Sequence, residues 1–211
     1  MIGIIKRDLI LTFSDTKQRV FIFFMIPFLI LAIDTQRMDW LYFMIVVSIS
    51  YLLILIPFYY DINNKSDSMV ASLPISRKEI VIYKYLGVFV YLFISIVYVG
   101  IYLWIINKIG LVDVDYFSLS MIKKAIPYIM LSMSIVFPIN FTFGPRVVQI
   151  ANMLIYLGMN MTVFRMAQKA IDGSPSQVIN LLESPGFLII SLGIFILSMI
   201  FSIKLYENKD L

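Results

Sequence analysis

Long apolar runs alternate with short polar ones along the whole chain, and the lengths of the apolar runs set the first constraint. A helix crosses a hydrocarbon core of about 30 Å in roughly 20 residues at about 1.5 Å per residue. Six runs approach that reach, at 20–33, 41–60, 85–106, 125–143, 147–164 and 187–203. The pattern predicts an all-α membrane protein with six transmembrane helices in one membrane domain over 1–211. The first run is the shortest, and Lys17 and Arg19 at its start can lengthen it by snorkelling. Ahead of it, Ile2, Ile5, Leu9 and Phe13 recur at helical spacing with Lys6 and Arg7 on another side. That spacing predicts an interfacial helix within 1–19, apolar face down.

The polar interruptions carry local signals of their own. Gly144-Pro145-Arg146 leaves room only for a tight antiparallel hairpin between the fourth and fifth runs. In the 165–186 loop, Gly173-Ser174-Pro175 offers an N-cap and a proline at the first helical position, which predicts a short surface helix. The 61–84 loop is the most elaborate. Residues from Asn63 to Leu73 suit a short helix that must stop before Pro74. Ser76-Arg77-Lys78-Glu79 then reads as a capping box, with the Ser76 hydroxyl accepting from the Glu79 amide and the Glu79 carboxylate accepting from the Ser76 amide. A short helix, a proline break and a firmly started second helix make a stiff loop.

Composition sharpens this picture. Of 211 residues, 61% are hydrophobic and only 14% are charged, which places the chain among integral membrane proteins. The first residues lack the short apolar run and small-residue cleavage site of a secretory signal, so the first span is expected to act as its own insertion signal. Six spans put both termini on one side. The tails and even-numbered loops carry Lys6, Arg7, Lys17, Arg19, Lys65, Arg77, Lys78, Lys84, Arg146, Lys204 and Lys209, against Arg37, Lys108, Lys123, Lys124, Arg165 and Lys169 in the odd-numbered loops. The positive-inside rule therefore predicts cytoplasmic termini and a cytoplasmic 61–84 loop. The net charge of +4 is explained by these flanks, and no basic-aromatic patch outside the spans suggests nucleic acid.

Candidate chemistry is then mostly a matter of exclusion. The chain has no cysteine and no histidine, which removes disulfides, thiol chemistry, the commonest zinc sites and histidine acid–base catalysis. All thirteen carboxylates lie at run ends or outside, so no ionisable group is offered at mid-membrane to hold a coupling ion. No G-x-x-x-x-G-K-[ST] loop is present, so no P-loop ATPase activity is expected. Expected cofactors are none. The fifth run does hold neutral polar residues: Gln149, Asn152, Tyr156 and Asn160 share one helical face within about 80°. Such a strip is costly toward lipid and must face other helices, a second subunit or a wet pathway. Hydrogen bonds between helices are the plainest of these roles.

The stretch Leu73-Pro74-Ile75-Ser76-Arg77-Lys78-Glu79-Ile80, with Lys84 and Leu86 beyond it, resembles the loop between the second and third spans of ABC-2-type transporter permeases. Six spans, an interfacial N-terminal helix, a short fourth loop and a helical fifth loop agree in architecture. The resemblance implies a coupling helix near 66–73 that docks on a separate nucleotide-binding subunit. By position, Ser66, Asp67, Ser68, Met69, Val70, Ala71 and Leu73 are the implied contacts, with Arg77 and Glu79 bracing the following turn. The family often carries Glu-Lys-x-x-Gly just ahead of this helix; Asn64-Lys65-Ser66-Asp67-Ser68 lacks that Glu and Gly. It further implies an exporter in a bacterial cell membrane, built from two permease subunits and two ATPases, with ATP and magnesium held by the partner. In relatives the path runs between subunits, which would give Gln149, Asn152, Tyr156 and Asn160 a pathway or dimer-interface role. Among small members the chain resembles exporters of amphipathic peptides, phenol-soluble modulins among them, so a peptide, toxin or drug is the implied cargo. The alternative is a non-transporting interaction or immunity protein of the same architecture.

Overall fold

A computed structural model describes residues 2–32, 38–63, 76–110, 117–171, 182 and 184–208. Seven helices are present among them: α1 (Ile2–Ser14), α2 (Thr16–Ala32), α3 (Met38–Asn63), α4 (Arg77–Ile109), α5 (Leu119–Thr142), α6 (Pro145–Ile171) and α7 (Pro185–Glu207). No strand occurs among the described residues. Five of the helices, α3 to α7, are long and apolar enough to cross a membrane. The expected first span falls in α2, whose 17 described residues reach only about 25 Å. The short helix expected in the 165–186 loop lies outside the described residues except for Leu182.

α3 is the hub of the bundle and packs on α1, α2, α4, α5 and α6. Its apolar run is hydrophobic on all sides, and Leu41, Tyr42, Phe43, Ile45, Val46 and Ile49 are fully buried, as expected of a helix enclosed by others. α7 lies against α4 and α5. Between them stands an aromatic stack centred on Phe137, with Tyr85 at 4.7 Å edge-on and Phe58 at 5.2 Å, continued by Phe195 on Tyr85 and Tyr206 on Phe141. α2 and α6 sit at the periphery and turn Phe21, Phe24, Phe28, Ile150, Met153 and Leu154 outward.

Local sequence explains where α4 begins and ends. The capping box is present: the Glu79 amide donates to Ser76 Oγ at 3.3 Å and the Ser76 amide donates to Glu79 Oε2 at 3.1 Å. At the other end Gly110 adopts the left-handed conformation, φ 76°, that a side chain resists. The 33 residues between give about 50 Å of helix, well beyond the membrane core. Only Phe143 and Gly144 separate α5 from α6, and the hairpin is antiparallel. Asn140 meets Asn152 near the turn and the Tyr128 hydroxyl donates to the Met159 carbonyl farther along.

Pro27, Pro57, Pro127 and Pro138 lie inside helices without ending them. A proline deprives the carbonyl four residues earlier of its partner. For Pro138 that carbonyl is Ser134, and it accepts the Ser198 hydroxyl of α7 at 2.7 Å. The Tyr85 hydroxyl closes the chain at 2.8 Å from Ser198 Oγ and 2.9 Å from Ser202 Oγ. The backbone group freed by the proline thus becomes a tie between α5, α7 and α4.

α1 forms as expected, and its polar side takes part in the packing. Its packed side is Ile4, Asp8 and Thr12, while Ile10 and Phe13 point outward and Ile5 and Leu9 are half-buried. Partners on other helices, described next, turn the polar side inward. The helix is docked on α3, α4 and α2.

Candidate functional site

The residues expected to contact a partner ATPase, Ser66, Asp67, Ser68, Met69, Val70, Ala71 and Leu73, lie outside the described residues, as does the proposed short helix. What the structure describes is the mount on which that 64–75 segment is carried. On its far side, the Ser76–Glu79 capping box starts α4, and Arg77 Nη1 donates to the last carbonyls of α7, Glu207 O at 3.0 Å and Tyr206 O at 3.3 Å. A guanidinium suits that place, because the final carbonyls of a helix lack backbone donors and carry the negative end of its dipole.

A second set of contacts holds both stems at once. Lys84 Nζ on α4 lies 2.8 Å from Asp8 Oδ2 on α1 and 3.0 Å from Asp61 Oδ2 on α3. Arg7 pairs with Asp61 and stands 3.6 Å from Asp8 Oδ1 through Nε. The four charges form a closed ring of alternating sign. The side chains of Lys84 and Asp8 keep only 6% and 7% of their exposure, with Asp61 at 13% and Arg7 at 31%. Lys84 also sits over the Phe58 ring, 4.7 Å from its centre. One turn on in α1 and two in α4, the hydroxyls of Thr12 and Tyr91 meet at 3.2 Å, continuing the same seam.

The polar strip of α6 is at the junction with α3 and α5. Asn152 and Asn140 exchange side-chain hydrogen bonds at 3.1 and 3.2 Å. Asn160 accepts from the Ser48 hydroxyl at 2.6 Å and donates to the Tyr156 carbonyl at 2.9 Å. The Tyr51 hydroxyl donates to the Asn152 carbonyl at 2.9 Å. Beside the strip runs a groove of about 450 Å³ between α2, α3 and α6, walled by Phe21, Leu52, Leu55 and Met153 and edged by Gln18, Gln149, Asn152 and Tyr156. Apolar walls with a few fixed amides are what an amphipathic molecule needs from a site. No cluster of residues able to hold a metal ion occurs among the described residues.

Sequence reasoning placed Gln149, Asn152, Tyr156 and Asn160 on one face without identifying Asn140 or Ser48 as their partners. A lone asparagine in the apolar run 125–143 was the available signal. If the Asn140–Asn152 exchange holds the hairpin, Asn140→Leu should lower stability by about 1 kcal/mol. The double variant Asn140→Leu/Asn152→Leu should then cost less than the two single changes together. Thermal unfolding in detergent measures this, and strictly additive losses would show that the two amides are not coupled. The ring of Arg7, Asp8, Asp61 and Lys84 was missed altogether, since each residue reads separately as a flank charge.

In comparisons with known proteins, residues 3–207 match a family model described as ABC-2 family transporter protein. No curated protein and no solved structure matches the chain.

Proposed function

The chain belongs to the ABC-2 family of transporter proteins, and from that premise we propose that it is the permease subunit of an ATP-driven exporter whose ATP is hydrolysed by a separate nucleotide-binding subunit. The observation that carries the reading is the mount of the 64–75 segment. A loop that merely reversed the chain would have no use for a capping box, an arginine on the end of α7 and a buried ring of charges across both its stems. A loop that receives force has a use for all three, because a stiff mount passes displacement to the helices instead of absorbing it.

In this reading the segment containing Ser66, Asp67, Ser68, Met69, Val70, Ala71 and Leu73 docks on the ATPase, which holds ATP and magnesium. Arg77 and Glu79 stiffen its exit into α4. Both termini are cytoplasmic, and α2 completes a sixth span. A second permease subunit faces the outward sides of α2 and α6, so that the groove edged by Gln149, Asn152 and Tyr156 lies between subunits and takes an amphipathic peptide, toxin or drug outward.

The test is co-purification from the native membrane in detergent, comparing the wild-type chain with Asp67→Lys/Met69→Asp. A nucleotide-binding ATPase is expected with the wild type, and at least about tenfold less with the variant, as for a charge reversal and a buried charge at an interface centre. An ATPase retained equally by both would refute the docking site, and one absent from both would refute the exporter reading.

A further inference from the structure

The hydroxyls gathered at the Pro138 break can be given a direction. Ser198 donates its one hydroxyl proton to the Ser134 carbonyl at 2.7 Å. At the 2.8 Å contact between Tyr85 and Ser198 the proton therefore comes from Tyr85. At the 2.9 Å contact between Tyr85 and Ser202 it then comes from Ser202. The order runs from Ser202 to Tyr85 to Ser198 and ends on the carbonyl that Pro138 leaves without an amide. Hydroxyls near such a carbonyl commonly take the place of the missing donor in membrane helices. The Ser134 hydroxyl of α5 itself does not, since it donates to the Met130 carbonyl at 2.7 Å. The donor comes from another helix, so closure of the α5 ladder depends on where α7 and α4 stand.

We propose that Ser198 and Tyr85 are positioning residues for the groove between α2, α3 and α6, although neither of them lines it. Beyond Pro138 the chain supplies Asn140, Val148, Gln149 and Asn152 to the groove. The Asn140–Asn152 exchange ties the two sides of that hairpin, so its end moves as one piece. A helix broken by proline bends at the break, and the bond on the Ser134 carbonyl holds that bend from the α7 side. The hairpin end takes its angle, and the groove its width, from a hydroxyl on a helix outside the groove. Val148 is the sensitive point: it lines the groove from the first turn of α6, is 1% exposed, and its amide donates to the Gly144 carbonyl at 3.1 Å. That the groove holds cargo rests on the exporter reading; that its shape is set at Ser134 does not.

The chain has no cysteine, so one introduced thiol reports its own position. Val148→Cys is the groove reporter. Val99→Cys is the control, fully buried on α4 and about 20 Å along that helix from Tyr85. Each is labelled with N-ethylmaleimide in the full-length chain in native membranes. Ser198→Ala is expected to speed labelling at position 148 by about fivefold or more, and to leave position 99 within about twofold. Pro138→Ala returns an amide donor to the Ser134 carbonyl from within α5. In that background Ser198→Ala is expected to change labelling at position 148 by less than about twofold. Tyr85→Phe leaves the Ser198 proton in place but removes the group that aims it, and gives a smaller rise. No rise with Ser198→Ala overturns the proposal. An equal rise at both reporters overturns it too, because that is general loosening, and so does the same rise with and without Pro138. Should Ser198→Ala not fold, Tyr85→Phe with and without Pro138→Ala reads the same contrast. Labelling uses neither ATP nor cargo, so failure of the exporter reading, seen as no ATPase accompanying the wild type, is a separate result.

Discussion

Lys84→Met is expected to destabilise the bundle by about 3–5 kcal/mol, the largest effect of any single change considered. The reason is what it leaves behind. Asp8 and Asp61 both face the Lys84 ammonium, and without it two carboxylates share a nearly water-free site with only the half-open Arg7 to balance them. Methionine matches the length of lysine and keeps the contact with Phe58, so lost packing contributes little. Unfolding from detergent micelles measures the loss. The triple variant Asp8→Asn/Asp61→Asn/Lys84→Met should recover most of it, because stranded charge, not a missing bond, is the main cost; Arg7 can still reach water. A Lys84→Met protein as stable as the wild type would mean that the ring is hydrated.

Phe137→Ala is expected to follow, at about 2–4 kcal/mol. In water such a change loses both transfer energy and packing. In a bilayer the transfer part largely vanishes, since lipid tails are as apolar as the core. The cavity part stays, at about 24 cal/mol per Å³ for a void of roughly 100 Å³, together with the edge-on contact to Tyr85, worth about 0.5–1.5 kcal/mol. Phe137 is fully buried and meets Tyr85 and Phe58, so the void opens where α3, α4 and α5 converge. Phe93 on the same bundle is 66% exposed, and Phe93→Ala should be close to neutral under the same unfolding conditions. Equal losses at the two positions would show that transfer, not packing, dominates.

These two sites also mark how far the sequence could be read. The start of helix α4 was legible because its signal is local: Ser76 and Glu79 cap each other across three residues. The inward-facing strip of α6 was legible for a general reason, since amides avoid lipid, yet its partners Asn140 and Ser48 depend on which helices become neighbours. The face of α1 was not legible. Ile5, Leu9 and Phe13 have the periodicity of an apolar face, but Asp61 and Lys84 decide which side is packed. A moment computed along one helix carries no information about a charge on another. Likewise no local signal tells Phe137 from Phe93; the difference lies in which neighbours each helix face receives.

The inward polar side of α1 has a consequence for the order in which the protein is made. Asp8 emerges from the ribosome 76 positions before Lys84. At about 5–20 residues per second, that is a wait of roughly 4–15 seconds. Through this interval the Asp8 carboxylate has only its neighbour Arg7 to balance it, and Asp61, when it arrives, can pair only with Arg7. By this pairing α1 can complete its docking only after α3 and the first turns of α4 have been laid down.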